Sequence, residues 1–205
     1  MSHSKKPSRR AAAPPNRLRI IGGRWRGRRI RFPPVAALRP SPDRVRETLF
    51  NWLQPRIVGA RCLDLFAGSG ALGIEALSRG AAAVLFVDSD ARVVRHLQAT
   101  LEELGASGAN ALTAEAERFL DGPPQPFDVV FLDPPYGYAG LGALCERLAR
   151  GWLADQALVY LECAADAPLP SLPPGWQVRR AKRAGQVGYH LLETPTAATS
   201  ETRPS

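Results

Sequence analysis

Cysteine is scarce. The chain holds three, Cys62, Cys145 and Cys163, far apart and odd in number. They fit neither a disulfide framework nor a zinc-ligand spacing, so a reducing cytoplasm and no metal site are expected. There is no run of about 18 apolar residues, and hence no expected membrane span. The N-terminus has the charges of a leader peptide but no apolar segment behind them, so secretion is not expected. Internal repeats are also missing. Acidic residues are absent from positions 1–31, which carry eleven Lys or Arg.

That last absence locates the charge. The 205 residues include 27 basic and 19 acidic side chains, a net charge of +8. Beyond residue 31, sixteen basic residues face nineteen acidic ones. The basic excess is therefore an N-terminal feature. A basic arm on a near-neutral domain suits a polyanionic partner, although residues 1–16 alone could be a solubilising tail. Hydrophobic content of 45% is enough to build one substantial core.

The pattern along the chain divides it into four parts. Residues 1–16 read as a disordered basic tail. In 17–39, "RLRIIGGRWRGRRIRF" alternates basic and apolar residues around glycines, as in a β-hairpin with one basic face. Residues 40–193 read as the main domain, and 194–205 as a second disordered tail. The main domain opens with "SPDRVRETLFNWL", a helix for which Ser41 is the expected N-cap. Strands and helices then alternate. "ARCLDLFAG", "AAVLFVD", "ALTAEAERFL", "FDVVFLD" and "QALVYLEC" supply strands with helices between them, which predicts an α/β fold with a doubly wound, mostly parallel sheet. "WQVRRAKRA" and "QVGYHLLE" are too close for a crossover helix, so an antiparallel C-terminal edge hairpin is expected.

Two stretches carry chemistry. In "LDLFAGSGALGIEAL" a strand ending at Asp64 enters Phe66, Ala67, Gly68, Ser69 and Gly70, and then a helix. The glycines permit a tight turn and close approach of a ligand. The next strand ends at Asp88, placed to accept ribose hydroxyls, while Asp90 reads as a helix N-cap. This pair suits either a dinucleotide or S-adenosylmethionine. "FDVVFLDPPYGY" separates the two. Asp133 ends a buried strand. Pro134 and Pro135 have fixed φ and no N–H, so they hold carbonyl oxygens rigidly. A carboxylate and a carbonyl can accept both hydrogens of an exocyclic NH₂, and Tyr136 offers a flat face to a base.

"DLFAGSG", the strand-end acid and "DPPY" resemble the class I S-adenosylmethionine-dependent methyltransferases that act on amino groups, which have a Rossmann-like sheet. Together with "LRIIGGRWRGRRIRF", "LRPSPDRVRETLFNWL", "LDLFAGSGALGIEALSRGA" and "AGQVGYHLLE", they resemble the bacterial 16S rRNA guanine-N2 methyltransferase family, RsmD, from about Arg17 to Glu193. The resemblance implies an enzyme that methylates one guanine in the head of the small ribosomal subunit. Its partner would be 16S rRNA in the subunit or an assembly intermediate, and it would act as a monomer. Asp64, Phe66, Ala67, Gly68, Ser69 and Gly70 would line the cofactor loop, Asp88 would hold the ribose, and Glu115 would lie on the adenine side. Asp133, Pro134, Pro135 and Tyr136 would grip the amine. Arg24, Arg26, Arg28, Arg29, Arg39, Arg44 and Arg46 would meet RNA, or, for Arg39, Arg44 and Arg46, close over the cofactor.

Three other readings share parts of this pattern. DNA adenine-N6 methyltransferases also use "DPPY". A non-catalytic RNA-binding assembly factor would keep the sheet without needing an intact "DPPY". An NAD-dependent dehydrogenase would need the full glycine fingerprint, which Gly68, Gly70 and Gly73 only approach.

Overall fold

The computed structural model describes residues 16–32 and 41–196. Five strands follow the parallel rule: β3 (Arg61–Asp64), β4 (Ala83–Asp88), β5 (Ala109–Thr113), β6 (Phe127–Leu132) and β7 (Leu153–Ala164). Before them come the strands β1 (Asn16–Arg19) and β2 (Arg29–Phe32), and the helix α1 (Asp43–Ile57). The other helices are α2 (Ala71–Ser78), α3 (Ala91–Glu103), α4 (Ala116–Leu120) and α5 (Leu141–Leu148). β8 (Gln177–Ala184) and β9 (Val187–Glu193) close the chain.

The main sheet has seven strands in the order β5-β4-β3-β6-β7-β9-β8. β9 runs antiparallel to both β7 and β8. The expected edge hairpin is therefore present, with its second strand inserted against β7. The chain winds outward from β3 through β4 to β5, then returns to place β6 on the other side of β3. That reversal is the topological switch point, where the loops leaving adjacent strand ends diverge and leave a crevice.

Side-chain alternation along the strands feeds two cores. Cys62, Phe86, Phe131, Tyr160 and Tyr189 face α1, α2 and α3. Leu63, Val87, Val130, Leu132 and Leu161 face α4 and α5. α1 covers its face with Val45, Leu49, Phe50 and Leu53, all at most 3% exposed. Each such side chain contributes roughly 1.5–3 kcal/mol when buried. Among the described residues, no helix is long and apolar enough to cross a membrane.

The basic N-terminal segment forms the predicted hairpin, with β1 and β2 paired antiparallel. Leu18, Ile20, Trp25, Ile30 and Phe32 are buried in the same core as α1–α3, while Arg17, Arg19, Arg29 and Arg31 are exposed. The hairpin is fastened to α2 by polar contacts as well. Glu75, 1% exposed, accepts the backbone amides of Ile21 and Gly22, each at 2.8 Å, and Nε of Arg79 at 2.8 Å. Ser78 Oγ donates to the Gly22 carbonyl at 2.6 Å and accepts the Trp25 amide at 3.0 Å.

Two expectations are corrected in this region. Arg46 does not meet RNA from a surface, because it is 0% exposed. Its Nη2 donates to the Arg19 carbonyl at 2.9 Å and to Asp43 Oδ1 at 2.6 Å, and its Nη1 lies 3.7 Å from Glu75 Oε2. Burial of an arginine demands such partners, and here they tie the hairpin to α1 and α2. Ser41 does not cap α1 with its side chain either. The N-cap is Pro42 and has no side-chain cap bond, and the Ser41 hydroxyl points instead to two carboxyl groups described below. Residues 1–15, 33–40 and 197–205, including Arg39 and nearly all of both expected tails, lie outside the described residues.

Glu75→Ala should cost about 3–5 kcal/mol, because it leaves two amides and Arg79 without their buried acceptor and Arg46 without its ion-pair partner. Chemical denaturation of the variant measures this. A loss below about 1 kcal/mol would show that the hairpin does not depend on that carboxylate.

Candidate amine-methylation site

The crevice lies over the carboxyl ends of β3, β4 and β6. β3 and β6 pair with Asp64 opposite Phe131, and the Leu65 amide extends the ladder by donating to the Phe131 carbonyl at 3.2 Å. Asp64 and Asp133 thus leave the sheet on neighbouring strands. Asp64 is 2% exposed, and its Oδ2 accepts the Gly73 amide at 3.0 Å. Burial, with the Asp88 charge adding, pushes its carboxyl up to about 7, while the Gly73 bond opposes the rise. Asp64 therefore sits beneath the loop and joins the strand end to the first turn of α2.

The loop turns through Gly68 at φ +49° and Gly70 at φ +75°, left-handed conformations that favour glycine. Its inner bonds run from the Ala67 amide to the Val87 carbonyl and from the Gly70 amide to the Ala67 carbonyl. Ser69 is half-buried. Phe66 meets the Tyr138 ring edge-on, with centroids 5.3 Å apart.

Asp88, half-buried at the end of β4, accepts the Gly68 amide on Oδ2 at 2.8 Å and the Asp90 amide on Oδ1 at 2.9 Å. Each oxygen keeps a second lone pair, so the carboxylate can still accept two hydroxyl groups. Asp90 caps α3 as expected, accepting the Arg92 amide at 2.8 Å. Glu115 is exposed at the N-cap of α4, beside the Ala114–Asp88 backbone bond that closes this end of the crevice.

At the opposite wall, Asp133 accepts from Ser41 Oγ at 3.1 Å. Burial first, then the nearby Glu162 charge, raises its carboxyl well above the ordinary carboxylate range, against the lowering effect of the Ser41 bond. The Pro135 carbonyl accepts the Tyr138 amide at 3.1 Å and closes a turn. That bond leaves the Pro135 carbonyl a second lone pair. Tyr136 is 83% exposed.

Several residues at the site went unread in the sequence. Glu162 and Tyr160 lie on β7, where the signal was a lone acid in the apolar run "ALVYLEC". Tyr138, bonded to Glu117 of α4, shores up the proline loop. β8 is exposed from Gln177 to Arg183 and carries Arg179, Arg180, Lys182 and Arg183. Arg179 pairs with Glu193. Charged side chains suit an open sheet edge, and here they also present a second basic surface. Arg24 (4.0 Å over Trp25), Arg26, Arg28 and Arg29 are exposed on the hairpin, and Arg44 on α1.

The chain resembles known proteins along nearly its whole length. The family described as "Conserved hypothetical protein 95" matches residues 18–193. The protein named "Ribosomal RNA small subunit methyltransferase D" of Escherichia coli (strain K12) is 45% identical over 198 residues, covering 96% of this chain and 98% of the relative. Its namesake in Haemophilus influenzae is 44% identical, over 86% of this chain and 93% of that one. A solved structure described as "Putative methyltransferase yhhF from Escherichia coli" superposes with a TM-score of 0.83 at 46% identity, covering 88% of this chain and 99% of the other.

Gly68→Val should weaken S-adenosylmethionine binding by about tenfold or more, since a β-branched residue resists the left-handed conformation and its side chain crowds the approach. Calorimetry on the folded variant checks this. Unchanged affinity would remove the glycine turn from the cofactor's binding surface.

Proposed function

The chain belongs to the RsmD family of small-subunit ribosomal RNA methyltransferases, and from that premise we propose that it methylates the exocyclic N2 of one guanine in 16S rRNA. It is an enzyme, and its methyl donor is S-adenosylmethionine. What supports the guanine reading is the likeness to small-subunit ribosomal RNA methyltransferases along nearly the whole chain, with Asp133 and the Pro134 carbonyl following β6, across the switch point from the glycine loop.

The residues present fit the cofactor. The Gly68–Gly70 turn, with Phe66, Ala67 and Ser69, would receive its methionine end above Asp64. Asp88, with two acceptor positions to spare, would take the ribose hydroxyls, and Glu115 would lie towards the adenine. When bound, S-adenosylmethionine supplies a methyl carbon made electrophilic by its sulfonium.

The chain's own residues supply orientation. The guanine amine is a poor nucleophile, because its lone pair is delocalised into the ring. Accepting its two hydrogens at Asp133 and at the Pro134 carbonyl favours a lone pair directed out of the ring plane. It also holds the nitrogen in line with the methyl carbon. Pro134 and Pro135 restrict the backbone, so little reorganisation is needed during transfer. Tyr136 would stack on the base once it has left its helix, which makes a loop nucleotide a cheaper target than a paired one. The exposed arginines of the hairpin, with Arg44 and the β8 row, would hold phosphates and position the RNA without choosing the base. Such binding weakens steeply with salt.

Mass-spectrometric mapping of 16S rRNA from cells with and without this protein tests the reading. One guanine should lose its N2-methyl group in the deletion and regain it with the purified enzyme. Unchanged rRNA, or loss of N6-methyladenine from DNA instead, would contradict it.

A further inference from the structure

Behind Asp133 lies a buried polar cluster with a proton to account for. Ser41 Oγ stands 3.1 Å from Asp133 Oδ2 and 2.7 Å from Glu162 Oε1, and the Tyr160 hydroxyl donates to the same Glu162 oxygen at 2.6 Å. Ser41, Tyr160 and Glu162 are 6%, 0% and 8% exposed. Ser41 has one hydroxyl hydrogen and two carboxyl neighbours. If it donates to Glu162, its contact with Asp133 is satisfied when Asp133 carries a proton. If it donates to Asp133, the matching proton belongs on Glu162. Both contacts are hydrogen bonds when the two acids share one proton.

We propose that Asp133 and Glu162 act as one proton-sharing pair bridged by Ser41, in which Glu162 takes the proton that would otherwise neutralise Asp133 while the amine is bound. The inference rests on the reading of Asp133 as the amine's acceptor. Glu162 and Ser41 are positioning residues, and neither touches the base. An arriving NH₂ offers hydrogens to Asp133 and so favours its ionised form. The Asp133 proton passes to Ser41 Oγ as the Ser41 proton passes to Glu162. In the transfer itself, the nitrogen lone pair forms the bond to the methyl carbon, and the carbon–sulfur pair stays on sulfur. The nitrogen, now cationic, gives one hydrogen to Asp133 as a proton. The pair then holds two protons and releases one to solvent as product leaves.

The surroundings favour a shared proton over two charges. Asp64 faces the pair from β3, and Tyr160 and Tyr189 lie alongside on β7 and β9. The nearest guanidinium on α1, Arg46, reaches only the Ser41 carbonyl, at 3.3 Å, and is committed to Asp43 and Glu75. Lys182 is level with Glu162 but two strands away, and exposed. Burial and like charge therefore keep Asp133 protonated to higher pH than an ordinary carboxyl group. Because its folded value is raised, its contribution to stability is present at low pH and is lost as pH rises through that value.

The test is a carbon-13 titration of side-chain carboxyl groups in the cofactor-free protein, for wild type, Glu162→Gln and Ser41→Ala. The wild-type pair should titrate in two coupled steps. Glu162→Gln removes the like charge, so Asp133 should titrate in one step, lower by about one pH unit or more. Ser41→Ala removes the bond that favours ionised Asp133, so its midpoint should rise. In single turnover, the acid limb of the pH–rate profile should move down in Glu162→Gln and up in Ser41→Ala. Glu162→Asp should restore the coupled titration. Guanine methylation by wild type with an unmoved Asp133 titration in either variant overturns the pair and leaves the methyltransferase reading standing. Opposite shifts in an enzyme that forms no N2-methylguanine support the pair and overturn that reading instead.

Discussion

The parallel pairing of β3 with β6 is the contact on which the site depends. Asp64 opposite Phe131 sets the register, and the Leu65 amide bonded to the Phe131 carbonyl carries the pairing one residue past β3. From there the chain parts. The β3 loop climbs into α2 on one face, and the β6 loop leads to α5 on the other. The crevice between them has a tight glycine turn on one wall and a stiff proline turn on the other. A slip of one residue in either strand would exchange its core-facing and opposite-facing side chains and move an acid away from the crevice.

Buried and half-buried acids divide into two kinds by the company they keep. Glu75 has two backbone amides, Arg79 and Arg46 around it, so its charge is compensated and it serves as a fastening. Asp133 and Glu162 have hydroxyl groups and one another. Their charges repel in a poorly solvated site, an arrangement that suits proton handling better than stability. Asp64 lies between the two kinds, raised to about 7 by burial although Gly73 donates to it.

Much of this was legible in the sequence because it follows local rules. Apolar runs ending in acids gave the strands, glycines gave the loop, and basic–apolar alternation over residues 17–32 gave a hairpin with one buried and one basic face. The failures around Asp133 and Arg46 were long-range. Ser41 has the sequence setting of an N-cap, but its hydroxyl serves Asp133 and Glu162, 92 and 121 residues away. Arg46 looks like one more arginine on a solvated helix face until the hairpin and α2 close over it. Glu162 sits in an apolar strand, and nothing nearby announces that it pairs with a carboxyl group on the neighbouring strand. Local pattern cannot supply these partners, because the fold brings them together.

The proposed role of Asp133 is to grip and deprotonate an amine while the cofactor is held elsewhere. Single-turnover methyl transfer by Asp133→Ala, with S-adenosylmethionine affinity measured on the same preparation, tests this most directly. Near-normal cofactor binding is expected, with transfer slowed on the order of a hundredfold or more. Transfer at the wild-type rate, or loss of activity explained entirely by lost cofactor binding, would contradict it.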